Sequence, residues 1–259
     1  MTHIGIGLGM MLDGGNVVLF MKQLDFLPLG IDQSVNTFTP IRAFCSIESL
    51  GSFTIFVNVC DHGYQGPQSS LNCVNDFSSM VNINAYCLNA SEDVSNVISD
   101  QFVTPGFRMV CTSQRLFGTP ALDIPIVASA GDNSLFKYRS GNNLTVACYN
   151  FALRDGLELA EQLSRASVQS DLFHVNYVPG MDTEPLIESC SRTGSLLLLD
   201  DSKAIAKLGD VLVTELQSRG SDIDVLSLGR RGCTAEGYGV GEDRFIPDYD
   251  TVWTFVCTN

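Results

Sequence analysis

The chain has 259 residues, of which 45% are hydrophobic and 17% charged, with a formal net charge of −14. That length suits one large domain or two of ordinary size, and the apolar share is enough to bury a core, which excludes a disordered chain. So acidic a surface repels phosphate backbones and excludes nucleic acid, the basic clusters Lys137-Tyr138-Arg139 and Arg230-Arg231 being too short to reverse the sign.

Strand-length apolar runs alternate with stretches of helical period along the whole chain, the pattern of an α/β protein with parallel sheets and crossover helices. In the first half, helices are expected over Thr2–Leu12, Phe26–Thr37 and Ser91–Phe102. Strands are expected over Asn16–Phe20, Phe53–Cys60, Asn84–Leu88 and Phe107–Thr112. The helix opening Ser91-Glu92-Asp93 places acids at the positive end of its dipole. Gly118–Asn143, with Pro120, Pro125, Gly131 and Gly141-Asn142-Asn143, reads as a connection between domains. A second α/β unit follows, with strands over Leu144–Tyr149, Asp171–Tyr177, Ser195–Asp200 and Asp222–Leu226. Its helices are expected over Ala152–Ala166, Thr183–Ser191 and Leu208–Ser218. Leu157, Ala160 and Leu163 form the buried stripe of the first of these. The expected organisation is therefore a first domain over 1–120, a linker over 121–143 and a second domain over 144–259, each a doubly wound open sheet.

Nine cysteines without a C-x-x-C pair, most of them in or beside apolar strands, read as buried free thiols in a reducing compartment. Three histidines and scattered acids show no metal-ligand spacing. The apolar run Ile4–Leu12 lacks a basic leader and is far too short to span a bilayer. A soluble cytoplasmic protein, without membrane association, is expected.

The segment Phe20-Met21-Lys22-Gln23-Leu24-Asp25-Phe26 carries an aromatic from the end of a strand into a helix-length stretch ending Gly30-Ile31-Asp32-Gln33. Open α/β sheets bind ligands beyond such strand ends. This block, Gly5-Ile6-Gly7-Leu8-Gly9, the loop Asp61-His62-Gly63-Tyr64-Gln65-Gly66-Pro67-Gln68-Ser69-Ser70 and Thr104-Pro105-Gly106-Phe107-Arg108 occur in a definite order. Met181-Asp182-Thr183-Glu184-Pro185-Leu186, Ser191-Arg192-Thr193-Gly194 and Leu199-Asp200-Asp201 follow. In that order and spacing they resemble the carboxyl-terminal two-thirds of the thiamine-diphosphate enzymes of the transketolase and 2-oxo-acid dehydrogenase (E1 β subunit) superfamily, over nearly the whole chain.

The resemblance implies a pyrimidine-binding (PYR) module followed by a transketolase C-terminal-like domain. It implies thiamine diphosphate as cofactor, with magnesium held by a partner, since the family's separate diphosphate-binding (PP) module and its G-D-G metal motif have no counterpart here. Gly131-Asp132-Asn133 is the nearest text, without the third glycine. The family's activating Glu would fall just before Met1 and is not in this sequence; it is truncated from it, belongs to another polypeptide or is lacking. The partner expected is a PP-domain, α-type subunit in a heterodimer or α2β2 heterotetramer, with the chain inactive alone. An acyl-carrier or lipoyl domain is a further expected partner where the transferred unit is loaded onto a carrier.

By the same resemblance, Phe26 stacks on the aminopyrimidine, with Asp25 and Phe20 as further cofactor-facing residues; an ordinary core Phe is the alternative. In the loop after the second strand, His62, Gln65 and Ser69 are the catalytic candidates. Ser69 stands where transketolases keep a His and Gln65 near their acid, while His62 aligns with a His that contacts donor phosphate or else merely caps the loop. Arg115, near the family's phosphate-binding Arg but one residue out of register, is a phosphate ligand or a surface ion pair. Lys22 lines the same mouth or is a solvated charge. His3 and His174 are expected to be structural. The glycines between Gly5 and Gly15 follow no strand and are expected to allow close helix packing at a subunit contact.

Three functions fit these residues. One is the PYR-plus-C-terminal subunit of a two-component transketolase-like enzyme moving a two-carbon ketol unit, with a carrier protein as one acceptor. The others are the β subunit of a 2-oxo-acid dehydrogenase E1 component, and a non-catalytic scaffold or regulatory subunit.

Overall fold

The computed structural model describes residues 2–61, 72–204, 206–229 and 247–258. In the first half, β1 (Asn16–Met21), β2 (Ser52–Val59), β3 (Asn84–Cys87) and β4 (Gly106–Ser113) form an all-parallel sheet in the order β1-β2-β4-β3. The helices are α1 (Thr2–Leu12), α2 (Phe38–Phe44), α3 (Val74–Val81) and α4 (Ser91–Gln101). Phe53, Ile55 and Val57 of β2 and Met109 and Cys111 of β4 share one cluster with Ile4 and Leu8 of α1, Phe38 of α2 and Phe77 of α3. The intervening residues, Phe56 and Val110, turn to the opposite face with Val97 of α4 and Phe102. Strands buried on both faces need apolar residues at consecutive positions, which is why these runs do not alternate. Gly7 lets α1 lie directly on β2: a Cβ there would come within 2.5–2.8 Å of the Phe53 ring.

The second sheet comprises β5 (Ala128–Ser129), β6 (Leu135–Arg139), β7 (Leu144–Tyr149), β8 (Ser170–Val175), β9 (Ser195–Asp200) and β10 (Asp224–Gly229), in the order β10-β9-β7-β8-β6-β5. The four strands from β10 to β8 are parallel, while β6 runs antiparallel to β8 and β5 antiparallel to β6. Leu153, Leu159 and Leu163 of α5 (Leu153–Arg165) pack in the cluster that also holds Tyr86 and Val110 of the first sheet, so one apolar layer joins the two halves. Helices α6 (Glu184–Thr193) and α7 (Gly209–Ser218) cover the other face through Leu186, Ile187, Leu212 and Leu216. Helix α8 (Tyr249–Thr258) adds Val252 to the shared cluster. Reciprocal backbone bonds between Ala85 and Tyr177, 2.8 and 3.1 Å, stitch β3 to the segment after β8. Among the described residues no helix is long and apolar enough to cross a membrane.

The chain is thus α/β with two open sheets and interleaved helices, and the expected strands are all present. Several elements differ from expectation. The stretch read as a plain connection contributes β5 and β6, because Leu135, Phe136 and Tyr138 find a partner in β8. The single helix expected over Phe26–Thr37 is a 3-10 segment, Leu24–Gly30, then a π turn, Gln33–Thr37, leading into α2. Pro28 within it cannot donate a backbone hydrogen bond, so a regular α-helix is not sustained. Helices α3 and α8 were not expected at all.

Candidate active site

The site lies beyond the carboxyl ends of β1, β2 and β4. In the 3-10 segment after β1, residues three apart share a face. Leu24 and Leu27 therefore both face inward and are buried, while Phe26 between them keeps 42% of its surface exposed. Gly30 ends the segment against α1, where a Cβ would meet Ile4 at 2.7 Å.

Around this turn gather two thiols. Cys60, just past β2, is buried and hydrogen-bonded by Gln23. Burial pushes its thiol up, the Asp25 and Asp61 carboxylates push it further, and Gln23 and the Lys22 ammonium oppose them. Cys73, ahead of α3, is pushed up to about 12 by burial first and then by Asp25 and Asp76. Both are neutral thiols rather than nucleophilic thiolates at ordinary pH. The Asp25 carboxylate therefore lies near both thiols.

Asp61 anchors a second group. Its buried carboxylate accepts from Ser113 Oγ at 2.6 Å, from the Arg115 backbone N–H at 3.3 Å and from Arg115 Nε at 3.0 Å. Arg115 does not continue β4. It sits in a 3-10 turn, Gln114–Leu116, with its own backbone N–H donating to Ser113 Oγ at 3.2 Å, so the strand-face argument does not govern it. Its other arm pairs with Asp201, beyond β9, and Asp201 Oδ1 accepts the Phe151 N–H at 3.0 Å. Burial alone would lower the guanidinium's pKa, but Asp201 and Asp61 together raise it.

The same strand end is fastened by amides. Asn75 Nδ2 donates to Asp200 Oδ2 at 3.1 Å and to Ser202 Oγ at 3.0 Å, Asn150 Nδ2 donates to Asp200 Oδ1 at 2.7 Å, and Asn72 Nδ2 to the Asp201 carbonyl at 3.0 Å. A buried polar seam therefore runs from the end of β2 to the end of β9.

Of the residues expected at the site, Asp25, Phe26 and Lys22 come together at the end of β1, Lys22 being exposed. Phe20, 73% exposed, packs its ring on Phe56 at 5.5 Å on the sheet face away from α1. Arg115 is brought close, but its fork faces carboxylates. His62, Gln65 and Ser69 lie outside the described residues. His174 is wholly buried, with Asn89 Nδ2 3.0 Å from its Nε2, and His3 is exposed. Asp132 bonds Ser134 N at 3.0 Å in the turn between β5 and β6, a local turn contact. Among the described residues no group of three or more His, Cys, Asp or Glu could hold a metal ion. Sequence reasoning missed Gln23, Cys60 and Cys73 as site residues and the pairing of Asp61 with Arg115 and Asp201. Only the position of Cys60 and Asp61 at a strand's end signalled them.

No family model matches the sequence, and no curated protein matches it. The fold nevertheless has solved counterparts. A split-gene transketolase, described as an inactive β4 tetramer, is similar at a TM-score of 0.67 and 14% identity, over 98% of this chain and 81% of that one. A transketolase from Campylobacter jejuni is similar at 0.56 and 11% identity, over 93% of this chain and 35% of its own. A transketolase from Pichia stipitis in complex with sedoheptulose 7-phosphate gives 0.59 and 10%, over 92% and 34%. The chain thus has a transketolase-like fold and spans about a third of the length of the latter two enzymes.

Proposed function

We propose that this chain is the PYR and C-terminal-domain subunit of a two-component, thiamine-diphosphate-dependent transketolase-like enzyme that moves a two-carbon ketol unit. The PYR module takes residues 1–120 and the C-terminal domain 144–259, joined through 121–143. The observation that carries the reading is Phe26: a half-exposed ring held on a rigid turn at the carboxyl end of β1, in a fold shared with transketolases over 98% of the chain. Split-gene organisation in one of those counterparts supports a partner subunit here.

The residues present fit the heterocycle of the cofactor and not its diphosphate. Leu24 and Leu27 are buried and Phe26 between them stays partly exposed, with Asp25 next to it in the chain. The described residues supply no cluster for magnesium. Thiamine diphosphate, when bound, supplies the carbanion-stabilising chemistry. This chain's share is to position the ring and exclude water, and the α-type partner holds the diphosphate and magnesium across the seam. The assembly is a heterodimer paired by two-fold symmetry into α2β2, working in the cytoplasm, with a carrier protein as one acceptor of the ketol unit. His62, Gln65 and Ser69, which lie outside the described residues, are the catalytic candidates of this reading.

The test is reconstitution. The purified chain, its native partner, thiamine diphosphate and magnesium are mixed and offered either a ketose or a 2-oxo acid. Ketol transfer from the ketose is the expected result. Decarboxylation of the 2-oxo acid alone would replace this reading with that of a dehydrogenase subunit.

A further inference from the structure

We infer that Asp201 is a positioning residue: through it, the turn after β9 fixes both ends of the segment 62–71 and so sets the rate of the shared site. This rests on the ketol-transfer reading above, which takes His62, Gln65 and Ser69 of that segment as its catalytic candidates. Asp61 and Asn72, the residues that flank the segment, are both described and almost wholly buried.

The two ends reach Asp201 by different routes. Asp61 is held by Arg115, through Nε at 3.0 Å and the backbone N–H at 3.3 Å, and the other arm of the guanidinium pairs with the Asp201 carboxylate. Asn72 Nδ2 donates to the Asp201 carbonyl at 3.0 Å, and the Asn72 carbonyl accepts the Lys203 N–H at 3.4 Å. One residue of the second sheet thus serves one end with its side chain and the other with its backbone. Three residues further on, Asn75 Nδ2 ties the start of α3 to Asp200 at 3.1 Å and to Ser202 Oγ at 3.0 Å.

The turn is itself fastened to its own sheet. Asp200 Oδ1 accepts from Asn150 Nδ2 at 2.7 Å and from the Ser202 N–H at 2.8 Å, while Asp201 Oδ1 accepts the Phe151 N–H at 3.0 Å. Asp200, Asp201 and Ser202 are buried at the end of β9, a strand paired on both sides. Functional groups on a connecting segment gain precision from the scaffold that holds its ends. A misplacement of about 1 Å costs roughly 100-fold in rate. The second domain therefore contributes to turnover by locating Asp61 and Asn72, without touching substrate.

The experiment uses the assembled complex and compares Asp201→Asn, Asn72→Gly and the double variant. Asp201→Asn keeps an oxygen for the Phe151 N–H and the carbonyl for Asn72, and removes the charge that pairs with Arg115. Asn72→Gly removes the amide donor and tolerates the positive φ of 42°. Each should lower kcat about tenfold or more, with KM and thiamine diphosphate affinity within about twofold. The double variant should fall no more than about threefold below the slower single one, because the two ends act as a unit. Asp171→Asn, at the amino end of β8, removes another buried charge and should leave kcat within about twofold. An unchanged kcat in either single variant, or an equal loss in Asp171→Asn, would overturn the inference. Independently of turnover, Arg115→Lys should shift the NMR resonances of the Asn72 side-chain amide through the shared turn. Unmoved resonances would mean that the two ends are held separately, which also overturns it. Absence of turnover in the wild-type complex counts against the ketol-transfer reading, while the resonances still decide the role of Asp201.

Discussion

The polar seam between β2 of one sheet and β9 of the other, and the outer edge of β1, are opposite kinds of surface. At the seam, Asp61, Arg115 and Asp201 are buried and bonded to one another, to Ser113 and to the Phe151 N–H. At the edge, Val17, Val18, Leu19, Phe20 and Met21 form an unbroken apolar run that is half-buried at best, and β1 pairs with β2 on one side only. The seam is tied together by bonds within the chain, though the Asn72 and Asn75 Oδ1 atoms accept none. The edge has the composition of an interior strand and the exposure of a surface one, a surface suited to contact with another polypeptide. A bonded interior and an open apolar edge thus lie on either side of β2.

The largest expected effect breaks the seam. Arg115→Met leaves two buried carboxylates without their cation and should cost about 3–5 kcal/mol in denaturant unfolding. A loss below about 1 kcal/mol would mean that the seam does not hold the sheets together. Next comes Asp171 on β8, which binds Lys137 at 2.8 Å, Ser189 at 2.6 Å, the Gly141 N–H at 2.8 Å and Arg192. Burial alone would raise its pKa, but the bonds from Lys137, Ser189 and Gly141 and the Lys137 charge hold it below the usual carboxylate value. A depressed folded-state pKa means stability that is fully present above the unfolded value near 4 and lost as pH falls through the folded one. Asp171→Asn should therefore cost about 3 kcal/mol at neutral pH. It should also flatten the acid limb of the stability profile, and an unchanged limb would remove Asp171 from the account.

A pair of glycines on α1 sharpens the contrast between its two faces. Gly7→Ala drives a methyl into Phe53 and should destabilise by about 1–3 kcal/mol. At Gly9, where a Cβ meets nothing within 4 Å, alanine should stabilise by about 0.5–1 kcal/mol through helix propensity. Thermal melts of the two variants should move in opposite directions. Smallest of all, Phe20→Ser at the open edge should change the stability of the isolated chain by no more than about 0.5 kcal/mol. If it unfolds the chain, the edge is part of the core after all.

What the sequence shows and hides follows the same division. Apolar runs such as Leu144–Tyr149 and Ser195–Asp200 announce strands because hydrophobic burial is local in sequence. β6 escaped notice because its pairing with β8, more than thirty residues on, overrides the glycines and asparagines around it. α8, rich in Thr, Val, Trp and Phe, has poor helix propensity and forms because Val252 and Trp253 find the shared apolar cluster. The amino-terminal glycines were assigned to a subunit contact, whereas Gly7 already serves close packing on Phe53 within the chain. The position of Phe26 just beyond the end of β1 was legible from the strand-to-helix passage in the sequence. The pairing of Arg115 with Asp61 and Asp201 was not, because it joins residues 54 and 86 positions away, and pattern and period carry no information over such separations.

The most direct test is the cofactor's affinity in the reconstituted complex. Calorimetric titration with thiamine diphosphate and magnesium should show tight binding to chain and partner together and little to the chain alone. Phe26→Ala should weaken it by about tenfold or more, as loss of one stacked aromatic does. Equal affinity in the wild type and in Phe26→Ala, or full affinity in the isolated chain, would contradict the account.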